Sequence, residues 1–177
     1  EAMTYLSKIA GLVAKQGIPV RWDTPVGFPV LQAYYEMSSH VVRTHLHGKM
    51  ATTSYTKETP NVDKHKQATA VAPNFVHSCD AAHLMLTVVR AKDAGCTSFA
   101  MIHDSYGTVA ADTPILYKQV REAFIEMYET VDPAAVFNDD MLDIIMLAEK
   151  PEKNIPMLPK RGTLNLPSVR DSLYCFA

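Results

Sequence analysis

Residues 99–110 read F-A-M-I-H-D-S-Y-G-T-V-A. Phe99, Ala100, Met101 and Ile102 are apolar strand-formers that run directly into His103 and Asp104, and a second apolar run resumes after Gly107. A strand has a side-chain period of two, so Phe99, Met101 and His103 share one face, and Ala100, Ile102 and Asp104 the other. Both faces are apolar, so the pattern predicts a central strand within a hairpin over about 98–111. That places a carboxylate at the end of a buried strand, where an unpaired charge is protonated or destabilising. A Lys/Arg partner, a divalent metal, or a turn in which the aspartate caps its own backbone would each offset the cost. The residues alone leave these three open.

Upstream, "PNFVHSCDAAHLMLTVVRAKDAG" reads as a helix over 73–95. Pro73 and Asn74 suit its start, Leu84, Leu86, Val88 and Val89 a broad buried face, and Gly95 its stop. His77, Asp80 and His83 fall on neighbouring faces. No fourth ligand accompanies them, so zinc is not expected, and His83 reads as a satisfied histidine. Downstream, Asp112-Thr113-Pro114 is a capping sequence, and Leu116, Val120, Phe124 and Met127 form one helical stripe. A further helix is predicted over 133–149, then a proline-punctuated loop to 167, a short helix and the apolar tail "LYCFA".

Toward the N-terminus, Met3, Leu6, Ile9, Ala10 and Val13 recur at helical spacing before Gly17. "IPVRW" reads as a short strand and "DTPVGFPV" as turn chemistry. Residues 31–56 are rich in β-branched and aromatic residues and read as two extended arms around a turn at His47–Lys49. His45 and His47 are expected on one face, Thr44 and Leu46 on the other, and both faces are unusually polar for a core hairpin. "TKETPNVDKHKQ", 56–67, reads as a loop.

The 177 residues, 47% hydrophobic and 20% charged, fit a soluble globular chain with room for a real core. No run is long enough to span a membrane, and no secretory leader pattern opens the chain. Cys79, Cys96 and Cys175 form no CxxC pair, which favours buried, reduced thiols. Charge is asymmetric: residues 1–72 carry eight Lys/Arg against five Asp/Glu, and residues 73–177 nine against fourteen. The balance of +3 in front and −5 behind hints at anion binding first and cation binding second.

The stretch from His65 to Asp112, "HKQATAVAPNFVHSCDAAHLMLTVVRAKDAGCTSFAMIHDSYGTVAAD", together with "TPVGFPV" and the terminal Phe-Ala, resembles the single-chain DNA-directed RNA polymerases of bacteriophages and mitochondria, the phage branch above all. The resemblance implies an α+β fold: the C-terminal part of a right-hand polymerase, with a palm β-hairpin packed against helices, a fingers-derived helix and a protruding specificity hairpin. Residues 1–72 would be late fingers, with that hairpin at about 31–56, and residues 73–177 late palm.

By resemblance, Asp104 is a catalytic carboxylate that binds two Mg²⁺ ions, shared with an aspartate outside this chain. His103 and Ser105 neighbour it, and His77 and Ser78 lie at the floor of the site. Phe176 and Ala177 tuck back beside it. Cys79 stands where phage relatives often have glutamine. The arms around Gly48 would read promoter base edges, since a two-stranded ribbon fits the major groove. Arg43, Thr44, His45, His47, Lys49 and Thr52 are the donors for DNA, while Lys57, Lys64 and Lys66 read either as phosphate contacts or as a solvated charge run.

The implied partners are double-stranded promoter DNA, template strand, RNA product, nucleoside triphosphates and the remainder of a polymerase chain, in the cytoplasm of an infected bacterial host. A second palm aspartate and the fingers lysine and tyrosine are not found between Glu1 and Ala177, so the chain alone is expected to be inactive. Three alternatives compete. Ser105 stands where a related family A-type DNA polymerase has glutamate. A metal-dependent phosphohydrolase places its His-Asp pairs on helices. The acidic second part disfavours a non-catalytic DNA-binding module.

Overall fold

The computed structural model describes residues 1–148 and 154–173. Helix α1 (Ala2–Lys15) buries Leu6, Ile9, Ala10 and Val13, the stripe its spacing dictates. Gly17 ends it at φ +78°, a left-handed conformation that glycine adopts without steric cost. Strand β1 (Arg21–Asp23) pairs antiparallel with β2 (Pro29–Leu31) across the predicted turn. Then come β3 (Tyr35–Leu46), β4 (Lys49–Val62) and helix α2 (Lys64–Asp93). Next are β5 (Ala100–Ile102), β6 (Ser105–Gly107), α3 (Thr113–Thr130) and α4 (Pro133–Met146). Short 3₁₀ helices cover Ala110–Asp112 and Leu166–Asp171. The strands form three separate two-stranded antiparallel sheets, an α+β arrangement.

At 30 residues, α2 spans about 45 Å, enough to serve two apolar clusters. Its first half contributes Val71 and Ala72 to a core with Leu6, Ile9 and Val13 of α1, Trp22 of β1, and Phe137, Met141 and Ile145 of α4. Phe137 meets Trp22 and Phe75 edge-on, with ring centroids 5.6 and 5.1 Å apart. The far end of α2 gives Ala91 to a second cluster with Cys96, Leu116 and Val120. Phe99, Met101 and Tyr106 pack on that cluster and seat the short β5–β6 hairpin. Each large apolar side chain buried this way contributes on the order of 1.5–3 kcal/mol.

Four expectations are corrected. Residues 56–67 are not a loop: they complete β4 and open α2, whose first turn is capped by the Asp63 carboxylate accepting from Lys66 N at 2.9 Å. Pro73 does not start the helix but lies inside it, on an exposed face. There it removes one helical N–H, a loss that packing on both sides of it outweighs. From residue 73 onward the buried residues of α2 are Ser78, Cys79, Ala82, His83, Thr87 and Ala91, while Val89 is exposed. Small and polar groups allow close approach there, so the bulky aliphatics are pushed to the flanks. Finally, β5 is not a central strand among the described residues, where its sole ladder partner is β6 and the opposite edge is open.

Cys79 and Cys96 are buried free thiols, as expected, and burial pushes the Cys79 thiol up to about 11 and the Cys96 thiol up as well. Cys175 lies outside the described residues. No helix among the described residues is long and apolar enough to cross a membrane.

Candidate functional site

The β5–β6 hairpin pairs Ala100 with Gly107, Met101 with Tyr106 and Ile102 with Ser105, leaving His103 and Asp104 as the turn. His103 holds φ +52°, which a non-glycine residue seldom adopts. The turn is exposed at His103, Asp104 and Ser105, and Ile102 beside it is 71% exposed. The expectation of a buried carboxylate is therefore wrong. Among the described residues β5 is an edge on one side with no layer above it, so Asp104 is exposed and no desolvation cost calls for a partner. No described residue hydrogen-bonds or ion-pairs with it.

What the hairpin does have is a rigid seat. Gly107 sits so close to β5 that a Cβ there would meet the Ala100 carbonyl oxygen at 3.1 Å. The Thr108 hydroxyl donates to the Ser98 carbonyl at 2.7 Å and closes the base. The Tyr106 hydroxyl lies 2.9 Å from His83 Nδ1, and His83 Nε2 lies 2.8 Å from the Val120 carbonyl oxygen. A carbonyl only accepts, so Nε2 carries the proton and Nδ1 accepts from the tyrosine. Burial, opposed by the Val120 hydrogen bond and by Asp80, lowers the His83 pKa and keeps the ring neutral. Phe124 of α3 meets the same ring edge-on at 5.7 Å. His83 thus ties α2, α3 and the hairpin together. Its sequence context marks a satisfied histidine but carries no sign that it holds the Asp104 hairpin. The one signal was a histidine on the small-residue face of a helix.

His77 lies six residues earlier on α2, about 9 Å along the axis, and is exposed. Ser78 is buried: its hydroxyl accepts from Trp22 Nε1 at 3.0 Å and donates to the Phe75 carbonyl at 2.7 Å. It anchors β1 to α2 and presents nothing to an open site. His77, Asp80 and His83 make no metal centre, and no group of three or more His, Cys, Asp or Glu able to hold a metal occurs among the described residues. Asp104 offers one hard oxygen ligand, which fits a share of a magnesium site and not a whole one.

The β3–β4 ribbon carries the remaining candidates. Arg43 pairs with Thr52, Thr44 with Ala51 and His45 with Met50. Arg43, His45 and Thr52 therefore share one face, and Thr44 and Lys49 the other. His47 is on neither: it turns the chain with Gly48, at φ +49° and +75°. No described side chain from residue 36 to 61 is buried. On the Thr44 face, His40 and Tyr55 stack across the strands at 5.4 Å, a pair the sequence reading missed.

Phe176 and Ala177 lie outside the described residues. Just before them the chain is held to α3. Buried Arg121 and exposed Tyr117 donate to the Ser172 carbonyl at 3.0 and 3.3 Å, and Arg170 forks onto the Glu122 carboxylate at 2.8 and 3.0 Å. That pair pulls the Glu122 carboxyl below its ordinary range.

Residues 1–150 match the family described as DNA-dependent RNA polymerase. T7 RNA polymerase of Escherichia phage T7 is 38% identical over 192 residues, covering 100% of this chain and 22% of the relative. DNA-directed RNA polymerase of Enterobacteria phage K11 is 38% identical, over 100% of this chain and 21% of its own. DNA-directed RNA polymerase 3, chloroplastic, of Nicotiana sylvestris is 39% identical over 98% of this chain and 17% of its own. The chain spans about a fifth of the length of these relatives.

Proposed function

Because the chain belongs to the DNA-dependent RNA polymerase family, we propose that it supplies the late-fingers and late-palm portion of an enzyme that joins nucleoside triphosphates on a DNA template. The observation that carries this is the His103-Asp104 turn: an unpartnered carboxylate held at the tip of a hairpin that is wired to two helices, in a chain matched to the family through that turn. Asp104 holds its share of two magnesium ions, together with a carboxylate from another part of the polymerase. Ions held there would supply activation of the 3′-hydroxyl and charge neutralisation at the leaving pyrophosphate.

The rest of this chain's work is positional. The hairpin fixes where Asp104 stands. His77, exposed on α2, offers a ring nitrogen toward the template–product duplex, where minor-groove acceptors common to all base pairs allow contact without sequence readout. The open flank of the hairpin, Ala100 and Ile102, and the exposed Val76, Met85 and Val89 of α2 are covered by the remaining polymerase. The fingers–palm division near residue 72 falls inside α2, so the two portions share one helix. The phage relatives favour the cytoplasm of an infected bacterium as the setting.

The ribbon lies in the major groove of promoter DNA. Arg43, His45 and Thr52 present one set of donors, with Arg43 best suited to the two acceptors of guanine. Thr44 and Lys49, on the other face, and His47 at the tip reach phosphates or the flanking bases.

The direct test is Asp104→Asn in the polymerase that contains this segment. Extension of a primed RNA–DNA scaffold should fall on the order of a hundred- to a thousandfold, with scaffold binding retained. Extension at the normal rate would remove Asp104 from catalysis. The 177-residue chain alone, given primer–template, triphosphates and Mg²⁺, should synthesise nothing.

A further inference from the structure

We infer that Gln67 is a positioning residue for promoter recognition: with Gln32, Tyr34 and Asn74 it fixes the root of the β3–β4 ribbon onto α2 and so sets where the ribbon's tip lies. This rests on the proposed role of the ribbon in reading DNA.

Gln67 is fully buried in the first turns of α2, and Gln32, just before β3, is 2% exposed. Two neutral amides in such a place are costly unless every group is used. Here Gln67 uses all four. Its Nε2 donates to the carbonyls of Gln32 at 2.7 Å and Tyr34 at 3.4 Å. Its Oε1 accepts from Val20 N at 3.2 Å and from Gln32 Nε2 at 3.0 Å. Gln32 Nε2 also donates to the Gln67 carbonyl at 3.2 Å, and Gln32 Oε1 accepts from Asn74 Nδ2 at 2.8 Å. Asn74 then reaches the Tyr34 hydroxyl at 3.1 Å. On the other strand, Asp63 N donates to the Tyr34 carbonyl at 3.1 Å before capping α2. Both strands of the ribbon are therefore fastened where they leave the body, and both to the helix that carries His77.

Beyond that root no described side chain of the ribbon, residues 36 to 61, is buried. Its register is irregular between Tyr35 and Met37, with Pro60 opposite, and the regular ladder then runs from Met37↔Glu58 to Leu46↔Lys49. That ladder is about 33 Å long, so a tilt of about 6° at the root moves the tip about 3.4 Å, one base-pair step. A ribbon that reads base edges needs its root held to within a few degrees, and a saturated polar network does this better than apolar contact, because each bond has a direction.

The test uses three variants of the polymerase containing this segment. Gln67→Met keeps the length and removes the amide. Gln67→Glu keeps the acceptors and loses both donors. Asn74→Ala cuts the half-buried rim of the network and leaves the core intact. Promoter-dependent initiation should fall about tenfold, with a raised KM for promoter DNA, while extension of a preformed RNA–DNA scaffold stays within about twofold. Equal losses in the two assays would reduce Gln67 to an ordinary core residue and overturn the inference. Unchanged promoter initiation in the variants would also overturn it. If the Gln67 variants fail to fold, Asn74→Ala alone decides. Arg43→Ala separates the two levels. Unaltered promoter choice in that variant defeats the ribbon's role in DNA reading, and this inference with it. Altered choice in Arg43→Ala beside intact initiation in the network variants defeats the network alone.

Discussion

Between Leu46 and Lys49, and again between Ile102 and Ser105, the chain reverses through two residues that begin with a histidine at positive φ, +49° at His47 and +52° at His103. The turns begin alike, though Gly48 continues at positive φ and Asp104 does not, and the hairpins they close differ far more. The β3–β4 ribbon has arms of 12 and 14 residues, exposed on both faces and fixed only at its root. The β5–β6 hairpin has arms of three, with Met101 and Tyr106 seated on an apolar cluster and the Tyr106 hydroxyl tied to His83. A group that must meet reacting atoms needs a short arm with a rigid seat, since proximity is lost within about an ångström. A group that must reach a groove needs a long arm, and then its root decides accuracy.

Substitutions can break that contrast, and the largest effect belongs to the seat. His83→Leu removes the acceptor for Tyr106 and the donor for Val120, and should lower unfolding stability by about 2 kcal/mol, read from denaturant midpoints at constant m. Scaffold extension should fall with it, and His83→Gln should recover part of both. The same histidine makes stability depend on pH. Its folded pKa is lowered by burial, so the neutral ring stabilises the fold above the unfolded value of about 6.5 and that stability is lost as pH falls below it. The His83→Gln variant should lose less stability on that descent than the parent. An equal loss in both would take the proton off His83.

Next come the two glycines. Gly107→Ala places a methyl 3.1 Å from the Ala100 carbonyl oxygen and should cost about 1–2 kcal/mol globally, because the hairpin is part of a core. Gly48→Ala strains a residue at φ +75° by a similar amount. There the damage should stay in the ribbon: faster amide exchange and proteolysis near the tip, with the global midpoint unchanged. If Gly48→Ala shifts the global midpoint as far as Gly107→Ala does, the ribbon is not independent of the core.

What the sequence made legible follows the same division. The turn of His103 and Asp104, the helix around His77 and the two arms about Gly48 are contiguous patterns, and each lies where the sequence places it. Asp104's exposure was not legible, because apolar residues on both faces of β5 imply a cover on each side, and among the described residues the strand has one ladder partner. The start of α2 was masked by Pro73, whose preference for a first turn is overridden by packing on either side of it. The ties that position both hairpins join residues 35 apart, Gln32 and Gln67, and 37 apart, His83 and Val120. No local period records such pairs. The one hint was polar side chains recurring on the buried side of a helix.

The smallest effect is the most telling of the set. Val41 and Met50 are 65% and 66% exposed on the ribbon face that carries Arg43, His45 and Thr52. In a protein whose ribbon served only to complete its own fold, exposed apolar groups there would be incidental. On a surface that enters the major groove, they are suited to contact the thymine methyl, which hydrogen-bonding groups cannot match. Val41→Thr combined with Met50→Gln should leave the unfolding midpoint within about 0.5 kcal/mol of the parent, and scaffold extension unchanged. Discrimination between promoters that differ by a T·A pair in the contacted segment should narrow. A loss of stability comparable to that of Gly107→Ala would mean the ribbon packs on protein, whereas unchanged discrimination would leave base reading to Arg43 and the polar groups beside it.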